Sequence, residues 1–191
     1  MIAGLLAATA SVAGEEETVC QTADLIVEGG MSMSRGRICR IAAREIPKLA
    51  ACNVAVPEGV TLRSVDPPPK PCLGIFHCGE ALIRLLSPGL MAKRRDPDRA
   101  FASVPDEPCF DSVVVHELTH AAYDSAECPF VDCPATAEYA AYATQVRSLP
   151  AEAREAFEAT SAFDHCVSRD YGCQLIGRIM GGAAFIDREC F

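Results

Sequence analysis

Residues 112–124 read SVVVHELTHAAYD and contain His116-Glu117-Leu118-Thr119-His120, which holds two of the chain's four histidines. Side chains four apart on a helix share a face, with Cβ atoms roughly 5–6 Å apart. Two imidazoles placed so can hold one zinc ion, each nitrogen about 2.0–2.1 Å from it. Glu117 starts near the same face and can reach a neighbouring water without being a ligand. It could take a proton from that water and pass it to a leaving group. Zinc would lower the water's pKa towards about 7 and polarise a carbonyl. Val113, Val114, Val115, Ala121 and Ala122 surround the motif with uncharged side chains, as a buried helix requires. Two histidines and a carboxylate are costly to bury without a shared partner such as a metal.

These residues need a scaffold, and the pattern of the chain predicts one. Cys20 to Gly30 is a short apolar–polar segment read as helical and closed by Gly29-Gly30. Ser34 to Ile46 predicts a helix with Ser34 as N-cap and Ile38, Ile41, Ala42 and Leu49 on its apolar face. Pro47 is expected to end or kink it. Val60 to Val65 reads as a strand, and 66–71, DPPPKP, as a stiff connector. Leu73–His77 and Ala81–Leu86 flank Cys78-Gly79-Glu80 and predict a β-hairpin. A long loop with a little helix is expected over 87–108. Helices follow over 112–123, 134–147, 150–163 and 171–180, with Pro134 and Pro150 where a first turn tolerates proline. Strands followed by helices predict an α+β fold, in which a small sheet packs on the motif helix.

The motif between uncharged residues resembles the active-site helix of the zincin metallopeptidases. The resemblance covers that helix and, more loosely, about thirty residues after it. It implies a zincin-like fold, one zinc ion and hydrolysis of peptide bonds with Glu117 as general base. Metzincins place a glycine and a histidine three and six residues after the second motif histidine; here those positions are Tyr123 and Ala126. Gluzincins take their third ligand from a glutamate on a following helix. Ala137-Glu138-Tyr139-Ala140-Ala141 fits that context, seventeen residues separating Glu138 from His120. The resemblance therefore favours a site of His116, His120 and Glu138 with water as fourth ligand, and Asp124, Asp132 and His165 stand as competitors. Zincins also pair an extended substrate with an edge strand, a role open to either half of the hairpin. Asp124 is a candidate to orient His120. Tyr123, Tyr139, Tyr142, Tyr171, His77 and His165 are candidates to stabilise an oxyanion.

Composition sets the wider frame. The 191 residues, half of them hydrophobic and 23% charged, suit one globular domain rather than a disordered chain. A net charge of −9 disfavours generic nucleic-acid binding. Eleven cysteines are scattered along the chain with no C-x-x-C pair, which argues for disulfides and an oxidising compartment over a zinc ribbon. Five bridges would leave one thiol over. Cys128 and Cys133, between the motif helix and the Glu138 helix, could brace the third ligand. Residues 1–13, MIAGLLAATASVA, read as a signal peptide ending in a small-x-small site, with a single domain over 14–191. No stretch is long enough to span a bilayer as a helix. The expected protein is a secreted or periplasmic zinc metallopeptidase acting on a peptide or protein substrate, with no nucleic-acid partner and no stable membrane insertion. The competing expectation is a disulfide-rich secreted binding module on the same scaffold, which binds metal or is inactive.

Overall fold

The computed structural model describes residues 18–21, 23–29, 32–66, 72–98, 101–124 and 133–160. The segment 1–13 expected as a signal peptide, the 125–132 segment with Cys128 and Asp132, His165, Tyr171 and the helix expected over 171–180 lie outside the described residues.

Five strands form one sheet: β1 (Thr18–Cys20), β2 (Leu25–Glu28), β3 (Thr61–Val65), β4 (Gly74–His77) and β5 (Leu82–Leu86). Their spatial order is β1-β2-β3-β5-β4. The three inner strands run parallel, and each edge strand is antiparallel to its neighbour. Five helices accompany them: α1 (Ser32–Ala51), α2 (Pro88–Arg94), α3 (Asp106–Asp124), α4 (Cys133–Ser148) and α5 (Ala151–Thr160). The fold is thus α+β with a small sheet, although β2–α1–β3 adds a parallel crossover that the expected order of elements lacks.

The register explains the core. Val27, Leu62, Ile83 and Phe76 stand in one row across β2, β3, β5 and β4. Leu25, Val60 and Leu85 are buried with them, and Ile38 and Ile41 of α1 and Phe110, Val114 and Leu118 of α3 complete the same cluster. Side chains alternate between the faces of a strand. The other face therefore carries Ile26, Glu28, Arg63 and Arg84, with Glu28 and Arg63 paired at 2.7 Å.

Several local expectations are corrected. The segment after Cys20 is a strand–turn–strand unit rather than a helix. Leu25 and Val27 are buried while Ile26 and Glu28 are half-exposed, a period of two, and Asp24 turns the chain with φ 44°. Helix α1 runs through Pro47. A proline removes one backbone bond, and the last turn is held beyond it by Leu49 packing against Val54 and Ala122. The helix ends where Asn53 adopts φ 59°, a left-handed C-terminal stop. Helix α3 starts six residues before the expected Ser112. Pro108 lies in its first turn, where N–H groups have no partner within the helix, and Asp106 and Glu107 suit the positive end of the helix dipole. Arg95 secures the approach by donating to the carbonyls of Phe101, Ala102 and Val104 and pairing with Asp106.

The expected hairpin forms as β4–β5. Its turn, containing Gly79 at φ 75°, is tied to the end of α3 by the Gly79 N–H donating to Asp124 Oδ2 at 2.9 Å. Among the described residues one disulfide, Cys20–Cys39, joins β1 to α1. Cys78 is an exposed thiol and Cys109 a buried one. Cys109 serves the core as a small apolar side chain, and burial pushes its thiol pKa up. Among the described residues no helix is long and apolar enough to cross a membrane.

Candidate metal centre

Helix α3 is buried on nearly every side. From Val113 to Thr119 each side chain is buried, including His116 (9% exposed) and Glu117 (4%). It lies between α1, α4 and strand β4, so its polar groups can only be satisfied by those neighbours or by a ligand. Helix α4 approaches closely because it presents Ala140 and Ala141, both buried. The Thr119 and Thr144 hydroxyls bond across the two helices at 2.7 Å. That contact fixes the register in which Glu138 faces the histidines.

His116, His120 and Glu138 bring one donor atom each within 4.8 Å of the others. The two Nε2 atoms are 3.1 Å apart. Glu138 Oε2 lies 3.8 Å from His116 Nε2, and Glu138 Oε1 lies 3.6 Å from His120 Nε2. Ligands tetrahedrally arranged about 2.0–2.1 Å from a zinc ion lie roughly 3.3–3.5 Å from one another. The 3.8 Å and 3.6 Å contacts are made by different oxygens of Glu138, and one donor atom from each residue brings the three within 4.8 Å, so a tetrahedral ion would draw the carboxylate inward. Two nitrogens and a carboxylate suit zinc chemically. The Glu138 side chain is 49% exposed, which leaves the open side of the cluster facing solvent.

Electrostatics follow from burial. The His116 ring is held down to a pKa of about 4, chiefly by burial and then by His120, against smaller opposing effects of Glu138 and Gln145. It is therefore neutral, with a lone pair to offer, across the physiological range. Glu138 is lowered, first by the His120 ring that faces its carboxylate at 3.6 Å and despite partial burial. Burial drives Glu117 the other way, up to about 7, against His120 and a backbone hydrogen bond from Phe76. A carboxyl near neutrality is suited to both taking and returning a proton.

Strand β4 holds Glu117 in place. A Cβ added to Gly74 would stand 2.7 Å from Glu117 Oε1 and 2.9 Å from its Cγ, so only glycine lets the strand lie this close. The Leu86 N–H bonds to the Leu73 carbonyl. Antiparallel pairs alternate, so the backbone groups of Gly74 and Phe76 point away from β5, and the Phe76 N–H reaches Glu117. Of the two halves of the hairpin, β4 is the edge strand and β5 is internal.

Other sequence candidates separate from the site. Asp124, at the C-terminal end of α3, accepts from the Gly79 N–H of the hairpin turn. Of the described aromatic candidates Tyr142 packs against His116, ring centroids 4.6 Å apart and edge to face. It follows Glu138 by one turn on the same face of α4. His77 points to the sheet face opposite Phe76. Gln145 and Gly74 were not foreseen. Gln145 follows Glu138 by two helical turns, the one signal that could have found it. A shallow concavity lined by Asp66, Leu86, Leu90, Lys93 and Arg94 contains none of these groups.

No curated protein and no solved structure matches the chain. A family model does, over residues 25–171, which include α3, α4 and the whole His116–His120–Glu138 cluster. The chain belongs to that family, described as a family of unknown function, DUF6639.

Proposed function

We propose that the chain is a zinc-dependent hydrolase of peptide bonds, with His116, His120 and Glu138 as the metal ligands and Glu117 as the general base. The observation that carries this reading is the convergence of three donors from two helices, one atom from each within 4.8 Å of the others. Zinc held there would supply a Lewis acid for the scissile carbonyl and lower the pKa of a water towards about 7. Glu117 takes the proton of the attacking water and returns it to the leaving amine, a transfer that its raised pKa suits. Strand β4 keeps that carboxylate beside the cluster. Its free edge offers the outward backbone groups of Gly74 to an extended peptide, a mode of binding tolerant of side chains. The ring of Tyr142 packs against His116, which makes it the candidate to meet an oxyanion.

The Cys20–Cys39 bridge supports an oxidising, extracytoplasmic setting. The direct test is hydrolysis of an unstructured protein such as casein, with and without a chelator. The proposal expects cleavage that the chelator abolishes and zinc restores. Cleavage that a chelator leaves untouched would exclude it.

A further inference from the structure

The His116 ring presents Nε2 to His120 and Glu138. Its other nitrogen, Nδ1, is fully buried and makes no hydrogen bond. When Nε2 gives its lone pair to a metal, Nδ1 must carry a proton, and a buried N–H needs an acceptor. Acidic side chains usually serve, but the buried polar residues around this face are Ser112 and Gln145.

Their hydrogen bonds have a fixed direction. Ser112 precedes His116 by one helical turn, on the same face of α3. Its hydroxyl donates to the Cys109 carbonyl at 2.8 Å. With that proton spent, the Ser112 oxygen can only accept, and Gln145 Nε2 donates to it at 3.3 Å. The amide is thereby oriented with its NH2 group on Ser112, and its oxygen is the end left for the ring. Gln145 also stands within reach of the His116 ring. Gln145 is 4% exposed, so its amide is shielded from bulk water.

We propose that Gln145 is a positioning residue, whose amide oxygen accepts the Nδ1–H of His116 and so holds the ring in the tautomer that turns the Nε2 lone pair to the metal. The proposal rests on the metal-site reading above. It also makes a statement about the metal-free protein. There His116 is the Nδ1–H tautomer, and the 3.1 Å contact between the rings is His120 Nε2–H donating to His116 Nε2. A neutral amide fixes the ring without adding a negative charge, so the ligand is oriented without the gain in basicity that a carboxylate gives.

The test is nitrogen NMR of the histidine rings in the metal-free full chain, with zinc affinity measured by chelator competition. The wild type is expected to show the Nδ1–H tautomer at His116. Gln145→Leu is expected to lose that preference and to bind zinc about 10–100-fold more weakly, and Gln145→Glu, which keeps an acceptor, to retain both. Ser112→Ala frees the amide with little change in packing. It is expected to shift the tautomer in the same direction even if Gln145→Leu does not fold. An Nε2–H tautomer at His116 in the wild type would overturn the proposal, as would an unchanged tautomer and affinity in both Gln145→Leu and Ser112→Ala. A wild type with the expected tautomer that takes up no zinc would instead refute the metal-site reading.

Discussion

Glu117 and His116 are neighbours in sequence and titrate in opposite directions for the same reason. Burial disfavours the charged form of each, leaving a neutral ligand beside a carboxyl poised near 7. The consequence is measurable without substrate. The Glu117 pKa lies at about 7 in the fold against an ordinary value of 4.5. Its contribution to the stability of the metal-free protein is thus fully present below pH 4.5 and lost as pH rises through about 7. Glu117→Gln removes this loss. Denaturant titrations of the metal-free forms should show the variant gaining on the wild type between pH 4.5 and pH 8, by up to about 3 kcal/mol. A gap that does not change with pH would contradict the placement of this carboxyl. In the zinc-loaded protein the same substitution should keep the metal and lower peptide hydrolysis by about 10²–10⁴-fold, the range for loss of a general base.

The elements place these side chains, and β4 leaves the least room beside Glu117. Gly74→Ala would set a methyl carbon 2.7 Å from Glu117 Oε1, so either the edge strand or the carboxylate must move. Zinc binding should survive, because the ligands stand on α3 and α4, while hydrolysis falls at least tenfold, since roughly 1 Å of misplacement can cost far more. Loss of zinc together with activity would mean that β4 supports the whole helix and not Glu117 alone. The Cys20–Cys39 bridge closes a segment with a sequence separation of 19 residues between β1 and α1. Cys39→Ser should lower stability by about 2–4 kcal/mol in denaturant titration, and zinc stoichiometry should be unchanged in the variant that remains folded, since neither cysteine touches α3's motif.

At this scale the legibility of the sequence divides by range. The α3 and α4 helices, the β4–β5 hairpin and the His116–Glu117–His120 triplet were readable because each is written in consecutive residues. Glu138 was reachable through the resemblance to gluzincins, whose helix-borne glutamate it matches in spacing. The short β1–β2 unit was misread as helix because four residues of alternation are too few to outweigh apolar content. The early start of α3 was hidden by Pro108, and the passage of α1 through Pro47 by a rule that packing at Leu49 overrides. Gly74 and Gln145 were harder to read for a different reason. Their contacts exist only once an edge strand and a second helix lie against α3, and the two-turn spacing of Gln145 from Glu138 on α4 is the one signal within an element.

Among the described residues the buried helix α3 packs against strand β4 and against α4. His116, His120 and Glu138 gather at the α3–α4 contact and Glu117 at the α3–β4 contact, so under the proposed function one helix would couple metal binding to proton transfer. The chain's net charge of −9 would attract cations generally, and the distinction between a loose surface cation and a built site is stoichiometry. The most direct measurement is elemental analysis of the full chain purified from an oxidising compartment, beside His116→Ala and Glu138→Ala. About one tightly held zinc per chain in the wild type, and its loss in both variants, is the expected result. No zinc in the wild type, and none taken up on titration, would contradict the metallohydrolase reading and leave His116 and His120 as core residues; full zinc retained in Glu138→Ala would remove Glu138 from the ligand set.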